Sequence, residues 1–391
     1  MTYRTLVRAG VALTALGALI ALGTPARAEP GDPWVRAWGL SNTGQLGNGT
    51  TLDQQTPSSV RGLRRDDVRE LAGNGGSAAN RAFAVALLED GTVESWGGNG
   101  NGQLGDGTTT DRPVPVTVAG LSGVSTVAAG NGFAAAVRGG RVWAWGQNNL
   151  GQLGNGVTTD AATSRPVLSQ SLRGVTDIAL GCGYTLALRD DGTVWSWGEN
   201  TYGQLGLGTL AHQNTPKRVP GLTDVVAVSA GCHHSVALRA DGTVTSWGYN
   251  VNGQLGNDSV VQSSSPVDVK FLDGVTAVYA GWYHSFAVLA DGSLRAWGWN
   301  GSGQLGDGTT VQRTTPVPVP GLTGVQALSP GYQYSVALLD DQSVVAWGDN
   351  SSGQLGDGTT TASPTPVTAL PPGSGTTRVP ASIPWRTSYA Y

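Results

Sequence analysis

Short runs of alternating apolar and small or polar residues recur along the chain, and each run ends in Trp-Gly. Residues 243–247, Thr-Val-Thr-Ser-Trp, are one example. Alternation with a period of two residues is typical of a β-strand with one buried face. Asp-Gly precedes several of the runs and is the strongest short signal for a β-hairpin. With the apolar run at 235–238 and the small-residue run at 225–231, each unit is predicted to form three or four short antiparallel strands.

The unit is written seven times. Each Trp-Gly is followed by Gly-Gln-Leu-Gly, whose glutamine lies seven residues after the tryptophan. The tryptophans are Trp38, Trp96, Trp145, Trp197, Trp247, Trp297 and Trp347, and the glutamines are Gln45, Gln103, Gln152, Gln204, Gln254, Gln304 and Gln354. A period of about 50 residues with up to four strands is typical of a β-propeller blade. The chain is therefore predicted to be all-β, a propeller of seven blades.

The repeat resembles that of the regulator of chromosome condensation family. The fullest copy is Ala-Gly-Cys-His-His-Ser-Val-Ala-Leu at 230–238, followed by Asp241-Gly242 and by Trp-Gly-Tyr-Asn at 247–250. The resemblance covers about residues 34–370 and implies a seven-bladed β-propeller. The seven tryptophans and the Gln-Leu-Gly turns are interpreted as structural, since tryptophan buries a large area.

The ends of the chain are predicted to share one blade. Residues 34–38 align with 293–297, so the first unit lacks its Ala-Gly-x-x-His-Ser half. The C-terminal residues 384–391 align with 281–288 and supply that half. This divides residues 29–370, seven repeats, from a linker at 371–377 and a closing strand at 378–391. The alternative is a disordered tail after Leu370.

The N-terminus is interpreted as a signal peptide over residues 1–28. Arg4 and Arg8 form a basic start, residues 11–22 are apolar but too short to span a bilayer, and Ala-Arg-Ala at 26–28 is typical of a cleavage site. The alternative is an N-terminal membrane anchor. Cleavage predicts a secreted protein with no later membrane span, and changes its net charge from −4 to −7. With two lysines in the whole chain, we expect no nucleic-acid partner.

Function is expected where the repeats differ. The most variable positions are the two residues at x-x in Ala-Gly-x-x-His, which occupy the same strand-to-strand corner of each blade. The pairs are Asn131-Gly132, Cys182-Gly183, Cys232-His233, Trp282-Tyr283, Tyr332-Gln333 and Trp385-Arg386. We predict that they cluster near the axis on one face, and that Asn131, His233, Trp282, Tyr283, Tyr332, Gln333, Trp385 and Arg386 bind a partner. Trp, Tyr and Arg dominate interface hot spots. The alternative is that the rings pack between blades.

Cys182 and Cys232 lie 50 residues apart at the same place in adjacent units. In a secreted protein they could form a disulfide, which adjacent blades permit only near the axis. The alternative is two buried thiols. His234 and His284 occupy a position that is aromatic in other units, so we interpret them as packing residues and expect no metal. No catalytic arrangement rises above the repeat, so we expect neither an enzyme nor a cofactor.

These observations favour a secreted, monomeric, non-catalytic propeller that binds an extracellular protein, of inhibitor or scaffold type. It is similar in fold and face to the secreted bacterial β-lactamase-inhibitory propellers, which bind through aromatic residues at this corner. The alternative is a propeller that binds or hydrolyses cell-wall carbohydrate. Guanine-nucleotide exchange, the activity of the nuclear protein that names the family, is disfavoured by the signal peptide, the missing basic arm and the absence of a large wedge insertion.

Overall fold

A computed structural model of the protein describes residues 33–74, 82–380 and 385–391. These residues form 27 strands and one short 3-10 turn, arranged in seven antiparallel sheets. The predicted all-β propeller of seven blades is therefore confirmed. The expected signal peptide at residues 1–28 lies outside the described residues. Within them, no helix is long and apolar enough to cross a membrane.

Blades 1 to 4 occupy the first part of the chain. Blade 1 begins with β1 (Trp34–Gly39) and β2 (Gln54–Arg64), followed by the turn η1 (Arg65–Asp67). Blade 2 contains β3 (Val68–Asn74), β4 (Phe83–Leu88), β5 (Val93–Gly97) and β6 (Arg112–Thr117). Blade 3 contains β7 (Val124–Gly130), β8 (Phe133–Arg138), β9 (Arg141–Asn148) and β10 (Thr159–Leu168). Blade 4 contains β11 (Val175–Leu180), β12 (Tyr184–Arg189), β13 (Val194–Gly198) and β14 (Gln213–Arg218).

The remaining blades follow the same plan. Blade 5 contains β15 (Val225–Ala230), β16 (His234–Arg239), β17 (Val244–Gly248) and β18 (Ser263–Asp268). Blade 6 contains β19 (Val275–Ala280), β20 (His284–Leu289), β21 (Leu294–Gly298) and β22 (Arg313–Pro318). Blade 7 contains β23 (Val325–Pro330), β24 (Tyr334–Leu339), β25 (Val344–Gly348) and β26 (Ser363–Leu370). The last strand is β27 (Thr387–Ala390).

Blade 1 is built from both ends of the chain, as the alignment of the termini predicts. Strand β27 pairs antiparallel with β1, with Ser388 opposite Trp38 and Thr387 opposite Gly39. This is the register in which Ser285 lies opposite Trp297 in blade 6. Because β1 and β27 pair with each other, neither strand presents an unpaired edge to the other end of the chain.

The predicted linker at 371–377 is an ordered connection between blades 7 and 1. The amide of Gly373 donates to the carbonyl of Asp341, and the Ser374 hydroxyl donates to the carbonyl of Gln342. Ser374 and Thr376 are buried. The amides of Thr377 and Arg378 both donate to the carbonyl of Tyr391, which extends the pairing of blade 1 toward the axis.

The tryptophan of each repeat is bonded to the preceding blade. All seven rings are fully buried, and each indole N–H donates to the main-chain carbonyl of the repeat glutamine one blade earlier, at 2.8–3.0 Å. Trp38 donates to Gln354 and so carries the pattern across the seam between the chain ends. A buried indole usually finds a partner for its N–H, and here that partner belongs to the neighbouring blade.

The same glutamine carbonyl accepts a second hydrogen bond at five of the blade junctions. The donor is a hydroxyl from the second strand of the following blade, at 2.9–3.1 Å; the donors are Thr185, Ser235, Ser285, Ser335 and Ser388. At Gln45 the phenol of Tyr389 takes this role. A carbonyl oxygen has two lone pairs, so these buried oxygens are fully satisfied. At the five junctions both donors come from one neighbouring blade, whereas at Gln45 they are Trp96 of blade 2 and Tyr389 of blade 1.

The glycine after Gln-Leu leaves the space that the tryptophan ring of the next blade occupies. At Gly256 the backbone has φ +66°, and a Cβ there would lie 2.8 Å from the indole nitrogen of Trp297. Glycine is required for both reasons, since side chains rarely adopt positive φ and no carbon fits at that distance. The Gly-Gln-Leu-Gly sequence is thus the socket for the next blade's tryptophan.

His234 and His284 are packing residues in this framework. Both rings are fully buried, and their Nε2 atoms lie 2.9 Å from Ser285 Oγ and 3.2 Å from Ser335 Oγ of the next blade. Because each serine already donates its proton to a glutamine carbonyl, the histidine Nε2–H is assigned as the donor. Nδ1 is then left without a hydrogen-bond partner among the described residues. Burial lowers the pKa of both rings to about 3, so they are neutral at physiological pH.

The socket predicts a large difference between two glycine substitutions. Gly256 and Gly274 have nearly the same φ, +66° and +65°, but a Cβ at Gly274 meets nothing within 4 Å. Gly274→Ala should therefore cost only the strain of positive φ, about 1 kcal/mol. Gly256→Ala should cost about 2–4 kcal/mol, because Trp297 must also move. Urea unfolding of both variants measures the difference, and equal losses would contradict the socket.

The buried histidines predict a pH dependence of stability. The unfolded histidine gains a proton near pH 6.5, whereas the folded one does not until about pH 3. Stability contributed by the neutral ring is full above pH 6.5 and falls as the pH drops toward 3. His234→Phe, the residue found at Phe83 and Phe133, should flatten the fall of the unfolding free energy between pH 7 and 4.5.

A matched control separates titration from the loss of a hydrogen bond. Ser285→Ala removes the partner of His234 but leaves the ring buried. Because the Ser285 hydroxyl also donates to the carbonyl of Gln254, the change removes two hydrogen bonds. It should lower stability by about 2 kcal/mol at every pH and keep the acid slope of the native protein. If His234→Phe retains the native slope, the ring does not contribute to acid sensitivity.

Candidate functional site

Two connections of every blade meet on one face, which we call the corner face. Successive strands are antiparallel, so the corner between strands one and two lies at the same end as the loop between strands three and four. The amides of Tyr249, Trp299 and Asp349 donate to the carbonyls of His233, Tyr283 and Gln333 in the same blade. The residue after Trp-Gly therefore sits beside the second residue of the variable pair.

The glycine of Trp-Gly permits this close approach. Gly298 has φ +101°, and a Cβ there would lie 2.6 Å from the carbonyl oxygen of Tyr283. Only glycine lets the third strand turn over the corner at this distance. The side chains of Tyr283 and Trp299 consequently belong to one surface, with ring centroids 6.1 Å apart.

Seven side chains on the corner face form a chain of ring contacts, which we call the aromatic arc. They are Tyr202, His233, Tyr249, Tyr283, Trp299, Tyr332 and Trp385, and all are half-buried. The arc runs from blade 4 through blades 5, 6 and 7 into blade 1. His233, Tyr283, Tyr332 and Trp385 were predicted from the variable pair. Tyr202, Tyr249 and Trp299 were not, because they lie in loops interpreted only as turns.

At one end of the arc the rings are layered. Tyr332 stacks on Trp385 with centroids 4.1 Å apart, and both contact the Trp282 ring, at 4.8 and 4.9 Å. Trp282 is only 6% exposed, so its ring lies beneath the surface as a floor for the other two. Its indole nitrogen has no hydrogen-bond partner among the described residues. The guanidinium of Arg386 lies 5.8 Å from the Trp385 ring centroid, within cation–π range.

At the other end, four rings surround the junction of blades 4 and 5. Tyr202 lies 5.1 Å from His233 and 4.7 Å from Tyr249, and Tyr283 lies 6.0 Å from Tyr249. The rings are tilted by about 60° to one another. Beside them, His233 Nδ1 lies 3.6 Å from the Oε2 atom of Glu199, too far for a hydrogen bond.

The charges of the arc differ between its ends. Arg386 Nε lies 3.5 Å from an Asp349 carboxylate oxygen, so those two charges pair. At the other end, burial lowers the pKa of His233 to about 4 and raises the pKa of Glu199. His233 is therefore neutral at physiological pH and leaves Glu199 without a compensating charge. Burial also raises the pKa of the Tyr283 phenol, so this ring adds no further charge.

A disulfide joins the two blades that carry the acidic end. Cys182 and Cys232 are bonded, with Cα atoms 4.5 Å apart, and the Cys182 amide donates to the Cys232 carbonyl. Both cysteines belong to one apolar cluster with Trp282, Tyr283, Tyr332 and Trp385. The bridge fixes Gly183 and His233, the residues that follow each cysteine.

Two predicted site residues lie apart from the arc's ring contacts. Asn131 lies in the corner of blade 3, two blades from Trp385, and its Oδ1 has no hydrogen-bond partner among the described residues. Gln333 is half-buried and accepts a main-chain hydrogen bond from Asp349. Neither residue contributes a ring to the arc, but Gln333 directly follows Tyr332, which is part of it.

The inner strands enclose a cavity of about 220 Å³ around the axis. Glu70 and Asp177 face it, and burial raises the pKa of Glu70 to about 7 and that of Asp177 above its usual range. Glu70 accepts hydrogen bonds from the Thr126 hydroxyl and the Val127 amide. In the part of the chain that is described, no three His, Cys, Asp or Glu side chains are grouped as metal ligands.

Comparison with known proteins places the repeat. Residues 158–390 match the RCC1-like domain, and residues 35–77 and 90–137 match the regulator of chromosome condensation (RCC1) repeat. The E3 ubiquitin-protein ligase HERC2 of Mus musculus is 32% identical over 193 residues, which cover 48% of this chain and 4% of that protein. The ultraviolet-B receptor UVR8 of Arabidopsis thaliana is 31% identical over 193 residues, covering 48% of this chain and 42% of the receptor. The chain thus matches less than half the length of either relative.

Solved structures share the whole architecture. Prp20p from Saccharomyces cerevisiae superposes with a TM-score of 0.78 at 22% identity, covering 91% of this chain and 90% of that one. Human WBSCR16 gives 0.79 at 22% identity, covering 91% and 98%. At this identity the likeness shows the fold alone. Because the RCC1-like domain matches more than half of the sequence, the chain belongs to the family of RCC1-like β-propellers.

Proposed function

We propose that the protein is a non-catalytic propeller that binds another protein through the aromatic arc. The supporting observation is that the arc joins seven half-buried rings from five blades into one continuous surface. Tyrosine and tryptophan present large, rigid contact areas and are enriched at interface hot spots. A ring needed only for blade packing would be fully buried, as the repeat tryptophans are.

The proposed setting is outside the cell. The signal-peptide pattern at residues 1–28 and the Cys182–Cys232 disulfide both favour an oxidising compartment. The proposed binding mode is of the inhibitor or scaffold type, with a rigid face docking onto a folded partner. The ring is closed at the seam by Trp38 and β27, so the face is preorganised before the partner arrives.

The relatives suggest other partners less strongly. Prp20p is known for its binding to Gsp1p and histones, but 22% identity carries only the fold to this chain. HERC2 is an E3 ubiquitin-protein ligase of which the match covers 4%. Fold analogy is weak support for a function, whereas the arc is an observation on this chain itself.

The test is capture from the culture fluid and cell-wall fraction of the producing organism. The bait is the mature chain beside a variant with Tyr249, Tyr283, Trp299 and Trp385 changed to alanine. Trp282 is left unchanged because its ring is part of the floor. We expect a protein retained by the native chain and lost by the variant, at least tenfold in bound amount, since each hot-spot ring contributes about 2 kcal/mol.

The control is Phe271→Ala. Phe271 is 76% exposed and lies in the connection between β18 and β19, on the face opposite the arc, so its loss should leave capture unchanged. Circular dichroism must show that all baits are folded. Retention of glycan fragments through the arc would replace a protein partner with carbohydrate. Equal retention by the native chain and the arc variant would overturn the proposal.

A further inference from the structure

The acidic end of the arc combines a carboxylate with aromatic rings. Glu199 lies in blade 4, with its Oε2 atom 3.6 Å from Nδ1 of His233 in blade 5. The His233 ring contacts Tyr202, which in turn contacts Tyr249. Among the described residues, the ion-pair contact of Glu199 is to His233, which is neutral at physiological pH. The side chain of Glu199 is 14% exposed, so one edge of its carboxylate still reaches solvent. Within the described ranges this carboxyl group accepts a hydrogen bond from the Thr201 hydroxyl but has no cationic partner.

The backbone makes room for this carboxylate. At the second corner position, blades 5, 6, 7 and 1 carry His233, Tyr283, Gln333 and Arg386, whereas blade 4 carries Gly183. A Cβ on Gly183 would lie 2.8 Å from Glu199 Oε2. The φ of Gly183 is not in the left-handed region, so a side chain here would be opposed by space alone, and the group that would have to shift is the carboxylate end of Glu199. The carboxylate therefore occupies the place that a corner side chain takes in the blades of the arc.

The disulfide fixes this arrangement. It joins Cys182, which precedes Gly183, to Cys232, which precedes His233. The two blades that supply the carboxylate and the rings are thus locked together at the corner, and the site needs no rearrangement to form. Preorganisation of this kind reduces the cost of binding.

We propose that Glu199, Tyr202, His233 and Tyr249 form a receptor for one positively charged side chain, a lysine or arginine, of the partner protein. A cation beside aromatic faces is attracted by their negative potential, most strongly where water is excluded. The carboxylate adds a charge-assisted hydrogen bond. Asp349, an acidic side chain beside the opposite end of the arc, is already paired with Arg386, so the basic residue docks at the blade 4–5 junction. This inference rests on the proposed protein-binding function and names the chemistry of the partner.

The direct test uses two small probes on the full mature chain. N-acetyl-lysine methylamide and N-acetyl-norleucine methylamide have similar stems and differ in the ammonium group. Binding is followed by NMR of tyrosine ring signals, assigned with Tyr202→Phe and Tyr249→Phe. We expect millimolar binding with about a tenfold preference for the lysine probe, and shifts confined to these two rings. Equal binding of both probes, or stronger binding of tetramethylammonium than of the lysine probe, would overturn the proposal.

Two variants remove the site in different ways. Glu199→Gln removes the charge at nearly constant shape, and Gly183→Ala displaces the carboxylate while keeping the charge. Both should abolish the lysine preference, whereas Asp349→Asn, on the same face with a similarly exposed side chain of 16%, should keep it. An unchanged preference in folded Glu199→Gln contradicts the receptor, and a loss in Asp349→Asn would assign the preference to general surface charge.

The two proposals fail separately. If the captured protein is lost by the four-alanine variant but bound equally by native chain and Glu199→Gln, the arc binds a partner without this receptor. If the lysine preference holds while the four-alanine variant still captures everything the native chain does, the receptor is a small-ligand site and the protein-binding function is wrong.

Discussion

The fold depends on one repeated hydrogen bond, from a buried indole N–H to the glutamine carbonyl of the preceding blade. A single blade cannot bury its apolar faces by itself and is stabilised by stacking against its neighbours. The indole is the largest side chain of the blade and is buried against the neighbouring blade. Its N–H donor fixes the position of the ring. At five junctions a serine or threonine hydroxyl, from the second strand of the blade that carries the tryptophan, donates to the same oxygen. One carbonyl oxygen of a blade thus positions two strands of the following blade. This fixes the distance between the two blades and their relative rotation about the propeller axis.

That constraint explains which positions are free to vary. The tryptophan, its glycine, the glutamine and the second glycine are all used by the junction, and a change in any of them affects two blades. The corner pair and the residue after Trp-Gly lie beyond the junction, at the end of the strands. Tyr283 and Trp299, for example, share a main-chain hydrogen bond but no contact that the repeat requires. Variation there changes the surface without changing the ring.

The sequence alone was sufficient for the fold because the repeat is periodic and long. Seven copies of one motif fix the number of blades, and the alignment of 384–391 with 281–288 predicts the strand β27 and its register. The site was accessible only in part. Tyr249 and Trp299 follow Trp-Gly in a position that is typical of a turn, and nothing in a single repeat indicates that this turn folds over the corner. The signal that could have found them is that this position also varies between blades. The burial of each corner side chain could not be predicted from the sequence either. Trp282 and Tyr283 are neighbours in sequence, yet Trp282 forms the floor and Tyr283 forms part of the surface.

The seven repeats produce blades of the same architecture, but the corner residues divide these blades into two sectors that differ in side-chain size. Ala82, Gly132 and Gly183 leave the second corner position small in blades 2, 3 and 4, while blades 5, 6, 7 and 1 carry large side chains there. A partner that docks on the large side chains sits off the axis, with one edge over the recessed blades. The boundary between the two sectors is the junction of blades 4 and 5, where a desolvated carboxylate and a disulfide occur together. A desolvated carboxyl group with no cationic partner is costly to stability, and a stable ring tolerates it because the junction tryptophans and glutamines supply the cohesion. The cost is therefore consistent with a feature retained for recognition, placed where the edge of a docked partner would cover it.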